Sequence, residues 1–207
     1  MTRVMRDSTK AADIPLHGLG LVAGYGNGLY KWSAADWARF PGIPHVGIDV
    51  NGSDAAGCGV LDVEKGDATP DHAPAWVRAR LALKPAYPPI IYCNRSTLTP
   101  VFNALNAAGL HVVRDFRLWI ATLDGVTTKV ADMTGVTAVQ WAGEAHTGGH
   151  YDESIVYDDT WHAPPPKPPP PPHAVKYGYL VTPGQAGGLA GRAVTSPPPP
   201  GTAQVWG

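Results

Sequence analysis

From residue 164 to residue 172 every position is proline except Lys167. Without backbone N–H groups such a run cannot join a helix or a sheet ladder, so it reads as an extended, semi-rigid spacer. Beyond it, residues 173–207 carry the glycines Gly187, Gly188 and Gly191, a second proline run from Pro197 to Pro200, and a near-terminal Trp206. Few apolar residues there can form a core, so the stretch reads as a tail that is poorly ordered or orders on a partner. At the other end, residues 1–16 mix charged and polar side chains and lack the apolar stretch of a secretory signal, so they read as a leader segment. The expected folded unit is residues 17–162, and the spacer and tail are residues 163–207.

Within that unit, strand-like and helix-like segments alternate. Residues 19–25, 45–50, 59–63, 89–93, 117–123, 135–141 and 154–157 are apolar enough for strands. Between them lie helix starts. Ser33 with Asp36 is a capping-box pattern ahead of residues 34–40. Thr69-Pro70 and Thr99-Pro100 each pair a cap with proline at the first helical position, and Gly109 closes the second of these helices. Such alternation predicts parallel strands with helices outside. Roughly 145 residues are short for a full eightfold barrel of about 250. The expected fold is therefore α/β, a shortened or irregular TIM-like (β/α) barrel.

Composition narrows the function. The formal net charge of -1 gives no basic field for nucleic acid or an anionic membrane. No apolar run reaches the roughly 20 residues of a membrane helix. Cys58 and Cys93 are too few for a disulfide scaffold, and their spacing is no zinc signature, so both read as buried free thiols. No cofactor or metal is expected. Gly18, Gly20 and Gly24 do not have dinucleotide-binding spacing.

The informative segment is Leu61-Asp62-Val63-Glu64. Alternation along a strand puts both acids on one face, about 6.6 Å apart. Two carboxyls inside a barrel suit its open C-terminal mouth, where such folds keep their sites. Tyr92, Asn94, Trp119, Gln140, Tyr151 and Asp152 fall at later strand ends or in the loops beside them. Aromatic rings beside acids suit a sugar, whose faces stack while its hydroxyls take polar groups.

In order, these segments resemble glycoside hydrolase family 25, the lysozymes (muramidases). The resemblance rests on Leu61 to Glu64, Pro89-Ile90-Ile91-Tyr92, Leu118-Trp119-Ile120-Ala121, Val139-Gln140-Trp141 and Asp152. It implies a peptidoglycan hydrolase, a phage or actinobacterial lysin, cleaving β-1,4 bonds of bacterial cell-wall glycan. Glu64 would be the general acid, Asp62 the electrostatic support and Asp152 a further wall of the site. Tyr25, Asn27, Asp49, Tyr92, Asn94, Trp119, Gln140 and Tyr151 would bind substrate. One departure stands out: where the family has a first-strand Asp, this chain offers Asn27, leaving Asp49 as a substitute acid. Such a protein would stay cytoplasmic until lysis, or reach the virion or the exterior by another route. The rival reading is a non-catalytic glycan-binding or virion-structural module that keeps the barrel. A second rival, a metal-dependent hydrolase built on His146, His150 and Asp152, is weakened by Thr147-Gly148-Gly149, which reads as a loop.

Overall fold

The computed structural model describes residues 2–126 and 133–157. All of these belong to the unit Met1–Pro168, so the expectations for the spacer and tail lie outside the described residues. Eight strands close into a barrel in sequence order: β1 (Arg3–Asp7), β2 (Leu21–Tyr25), β3 (His45–Asp49), β4 (Val60–Val63), β5 (Ile90–Asn94), β6 (Arg117–Ala121), β7 (Val136–Ala142) and β8 (Asp152–Val156). Strands β1 to β6 each pair in parallel with their successors, whereas β8 runs antiparallel to both β7 and β1.

This corrects the expected α/β barrel in two respects. The sheet is mixed, because residues 143–151 are fewer than the roughly dozen that a parallel crossover needs, so the chain turns straight back. The comparably short link 50–59 does support a parallel pairing, but of two residue pairs only. Nor do the described residues hold a ring of eight helices. Among the described residues only α2 (Ala73–Ala82) and α3 (Arg95–Ala107) exceed one turn; α1 (Ala34–Trp37) and α4 (Glu144–Thr147) have four residues each. The barrel also opens earlier than the sequence reading placed it. Residues 3–7, set apart there as part of a leader, are the strand that closes the sheet against β8. Its apolar residues are the half-buried Val4 and the buried Met5, too short a pattern to read as a strand without its neighbours.

Two apolar layers hold the sheet. Inside lie Met5, Leu21, Ala23, Val46, Ile48, Val60, Ile90, Ala138 and Val156. Outside, Leu61, Val63, Ile91, Leu118 and Ile120 pack against Trp76 and Val77 of α2 and Val101 and Leu105 of α3. Strands buried on both faces read as continuous apolar runs, which is why they are visible in the sequence. A third cluster covers the outside of β2, with Trp32 and Phe40 stacked 5.6 Å apart. Gly24 permits this, since a Cβ there would meet Trp32 Cε3 at 2.4 Å.

Ser33 and Asp36 form the expected capping box on α1. Gly109, at φ +74°, closes α3 through amide bonds from Gly109 to Asn106 and from Leu110 to Leu105, a Schellman arrangement. The start of α3 differs from the expected Thr99-Pro100. Asn94 caps it instead, its Oδ1 accepting from the amides of Ser96 and Thr97, and Pro100 is carried inside the helix. A cap that meets two orphan amides at once places the start ahead of the proline.

Candidate functional site

Period-two alternation carries the inner face of each parallel strand from an apolar layer to a polar one at the C-terminal mouth. In β1 the inner residues run from Met5 to Asp7, in β2 from Ala23 to Tyr25, in β4 from Val60 to Asp62, and in β5 from Ile90 to Tyr92. Glu64 follows β4 onto the same side. Asp152 reaches this layer from the opposite direction: it opens antiparallel β8, opposite Asp7 in the register. A pocket of about 110 Å³ results, walled by Asp7, Asp62, Glu64, Asp67 and Asp152 and by the rings of Tyr25, Tyr92 and Trp119.

Three hydrogen bonds fix this layer. Asn94 Nδ2 donates to Glu64 Oε1 at 2.9 Å, and Gln140 Nε2 donates to Asp152 Oδ2 at 2.6 Å. Trp119 Nε1 donates to Ser154 Oγ at 3.0 Å and meets Tyr92 edge-on, with centroids 4.7 Å apart. Asp7 Oδ1 and Asp62 Oδ1 are buried without a hydrogen-bond partner, although the two residues are only 5 % and 6 % exposed. Tyr151 stands to one side, its ring under the Arg6 guanidinium at 5.4 Å, while Arg6 itself pairs with Glu153 at 2.9 Å.

Electrostatically the acids behave alike. Burial, then the neighbouring charges of Asp152, Asp62 and Glu64, hold Asp7 well above the ordinary aspartate range. Burial followed by the charge of Glu64 does the same to Asp62. Glu64 is raised by burial, which outweighs the lowering bond from Asn94. Burial and then Glu144 push Asp152 up to about 6. Burial likewise raises Tyr25 and Tyr92.

The pocket opens sideways. Tyr25 and Asp67 also line a groove of about 470 Å³ that runs between the loop after β2 and the loops after β3 and β4. Tyr30 and Leu29 stand on its wall at 52 % and 89 % exposure, and the Tyr25 and Tyr30 rings lie 6.2 Å apart. Asn27, Asn51 and His72 supply polar edges.

The structure thus brings Asp62, Glu64, Asp152, Tyr25, Tyr92 and Trp119 together, with Asn94 and Gln140 as hydrogen-bond supports. Asp49 is not with them. Ile48 faces the barrel interior, so Asp49 faces outward, fully buried, and accepts from Trp76 Nε1 at 2.9 Å. Asn27 Nδ2 is turned onto Asp49, Asn51 and Ser53. Sequence reasoning missed Asp7, because the strand that carries it was set aside as leader. The signal that could have found it is Met5-x-Asp7, an apolar residue and an acid sharing one face. Asp67 and Tyr30 were also missed; both lie in loops, where no periodicity marks them.

The carboxyl geometry corrects the hydrolase reading. Acid catalysis on a glycoside needs one carboxyl kept protonated and another kept ionised, so their environments must push them apart. Here all five carboxyls of the pocket shift the same way, and Asp49, an expected site acid held below the ordinary aspartate range, faces the other side of the sheet. As for the metal-dependent rival, no group of three or more His, Cys, Asp or Glu side chains among the described residues could hold a metal ion.

Comparison with known proteins agrees with that correction. No protein-family model matches the chain, and no curated protein matches it. A solved structure does share the fold: an uncharacterized B. stearothermophilus protein determined at 1.07 Å, at 13 % identity and a TM-score of 0.52, covering 74 % of this chain and 95 % of the other. At that identity the likeness is one of fold alone. The muramidase assignment, with its lysin and phage attributes, is therefore not retained: the barrel is mixed, no family model supports it, and the structural neighbour has no described activity.

Proposed function

We propose that the protein is a non-catalytic glycan-binding module whose ligand is bacterial cell-wall glycan. The observation that carries this reading is the groove of about 470 Å³, with Tyr30 and Leu29 exposed on its wall and Tyr25 shared with the acidic pocket. An apolar ring face beside convergent polar groups is what a pyranose recognises: its C–H face stacks and its hydroxyls bond at the edge. The groove is large enough for a sugar unit, and the pocket behind it takes one substituent. Nucleic acid is disfavoured by the acidic mouth, which repels phosphates.

The test is sedimentation of the protein with purified cell walls, followed by assay of the supernatant for new reducing ends. Binding without release of reducing sugar supports the module. Tyr30→Ala is expected to weaken binding about fivefold, the loss of one stacking contact of about 1 kcal/mol, without a change in Tm. A protein that stays in solution with every wall preparation is not a wall-binding module.

A further inference from the structure

Resting on the glycan-binding reading, we propose that the acidic pocket selects the free, protonated amine of an amino sugar, so that the module reads de-N-acetylated glucosamine units rather than N-acetylated ones. Three observations converge on an ammonium group. First, Asp7 Oδ1 and Asp62 Oδ1 face this pocket as buried acceptors with no donor. Among the described residues no lysine, arginine or histidine lines it. Buried acceptors without partners are costly, and a ligand bringing several donors recovers that cost. Second, the other walls are the rings of Tyr25, Tyr92 and Trp119, with Ile48 beside them. Ring faces attract organic cations, so carboxylates and aromatics act on an ammonium in the same sense.

Third, donors and charge separate the candidates. About 110 Å³ holds the equivalent of three or four waters at roughly 30 Å³ each, room for the substituent on one ring carbon. The ring itself would lie in the larger groove, reached past Tyr25 and Asp67. An acetamido group in the same place would bring no positive charge and only one N–H to offer.

The groups facing the amine are Asp7 from β1, Tyr25 from β2, Asp62 and Glu64 from β4, Asp67 from the loop beyond it, Tyr92 from β5, and Asp152 from β8, the last beside Glu144. Since burial favours the protonated carboxyls, an arriving ammonium displaces protons to solvent as its partners ionise.

The experiment is titration calorimetry of the full chain with a glucosamine tetramer and with an N-acetylglucosamine tetramer, near neutral pH, in two buffers of different ionisation enthalpy. The expected result is at least tenfold tighter binding of the glucosamine tetramer, with proton release seen as a buffer-dependent enthalpy. Asp62→Asn is expected to abolish that preference and to reduce the proton release, and Asp7→Asn is the second variant should the first fail to fold. Equal or tighter binding of the acetylated tetramer overturns this inference and leaves the glycan reading standing. Binding of neither tetramer overturns both. Binding of ethylammonium as tight as that of the glucosamine tetramer overturns the assignment to a sugar.

Discussion

Asn27 Nδ2 donates to Asp49 Oδ1 at 2.8 Å, a bond that ties the loop after β2 to the end of β3 on the side of the sheet facing α2. Asp49 also accepts from the amides of Asn51, Gly52 and Asp54 at 3.1, 2.8 and 2.6 Å. Burial pushes this carboxyl up, but the bonds from Asn27 and the three amides outweigh it, and Asp49 lies below the ordinary aspartate range. Two of the loops that wall the groove, those after β2 and β3, therefore hang on one ionised side chain.

Removing that side chain leaves the indole N–H of Trp76 and three amides without an acceptor. Asp49→Ala is expected to cost about 3 kcal/mol, measured as a lowered urea midpoint. A loss below about 1 kcal/mol would contradict this role. Because the folded value lies below the unfolded one, Asp49's contribution is present above the ordinary aspartate value and is lost as pH falls through the folded value. In Asp49→Ala the difference from wild type should therefore shrink toward acid pH.

The mouth carboxyls act in the opposite sense. Asp7, Asp62 and Asp152 are raised in the folded state, so the native protein holds protons that the unfolded chain has released. Their stabilising contribution is complete below the ordinary aspartate value and is lost as pH rises through the folded values, which for Asp152 means through about 6. Asp62→Asn keeps the shape and removes the titration. It should raise Tm at pH 7 by about 2–5 °C and flatten the decline of Tm with pH; an unchanged decline would refute the assignment.

Asn94 serves two elements at once. Its Oδ1 caps α3 and its Nδ2 holds Glu64. Asn94→Ala is expected to cost about 1 kcal/mol from the lost cap. It should also raise the titration midpoint of Glu64, since the bond from Asn94 is what lowers it. A lowered urea midpoint would show the first consequence and carboxyl carbon shifts followed by NMR across pH the second, and a Glu64 midpoint that fell would rule the link out.

At Gly24 the constraint is steric. With the Trp32 ring only 2.4 Å from where a Cβ would sit, Gly24→Ala must displace a buried indole. A loss of about 1–3 kcal/mol is expected, together with a red-shifted tryptophan emission as Trp32 moves toward solvent. Full stability in this variant would mean that the ring is free to shift.

Much of the sheet was legible in the sequence because its strands are buried on both faces and read as apolar runs: Val60 to Val63, Ile90 to Cys93 and Leu118 to Ala121 each lie where the pattern puts them. The box of Ser33 and Asp36 and the closing turn at Gly109 were equally readable, since both are set by a few adjacent residues. The start of α3 was not, because two amide bonds to Asn94 outcompete a proline signal further along the chain.

What the sequence alone determined was local: which segments extend, where several helices begin or end, and that Asp62 and Glu64 share one side of their strand. Direction and closure belonged to the tertiary structure. Whether β8 returns antiparallel, whether Arg3–Asp7 joins the sheet, and whether Asp49 faces the mouth or α2 depend on hydrogen bonds between residues far apart in sequence. The same holds for the electrostatics of the mouth. A carboxyl's protonation is set by how much water its neighbours exclude, and those neighbours come from both ends of the chain, Asp7 meeting Asp152 only once the barrel is closed.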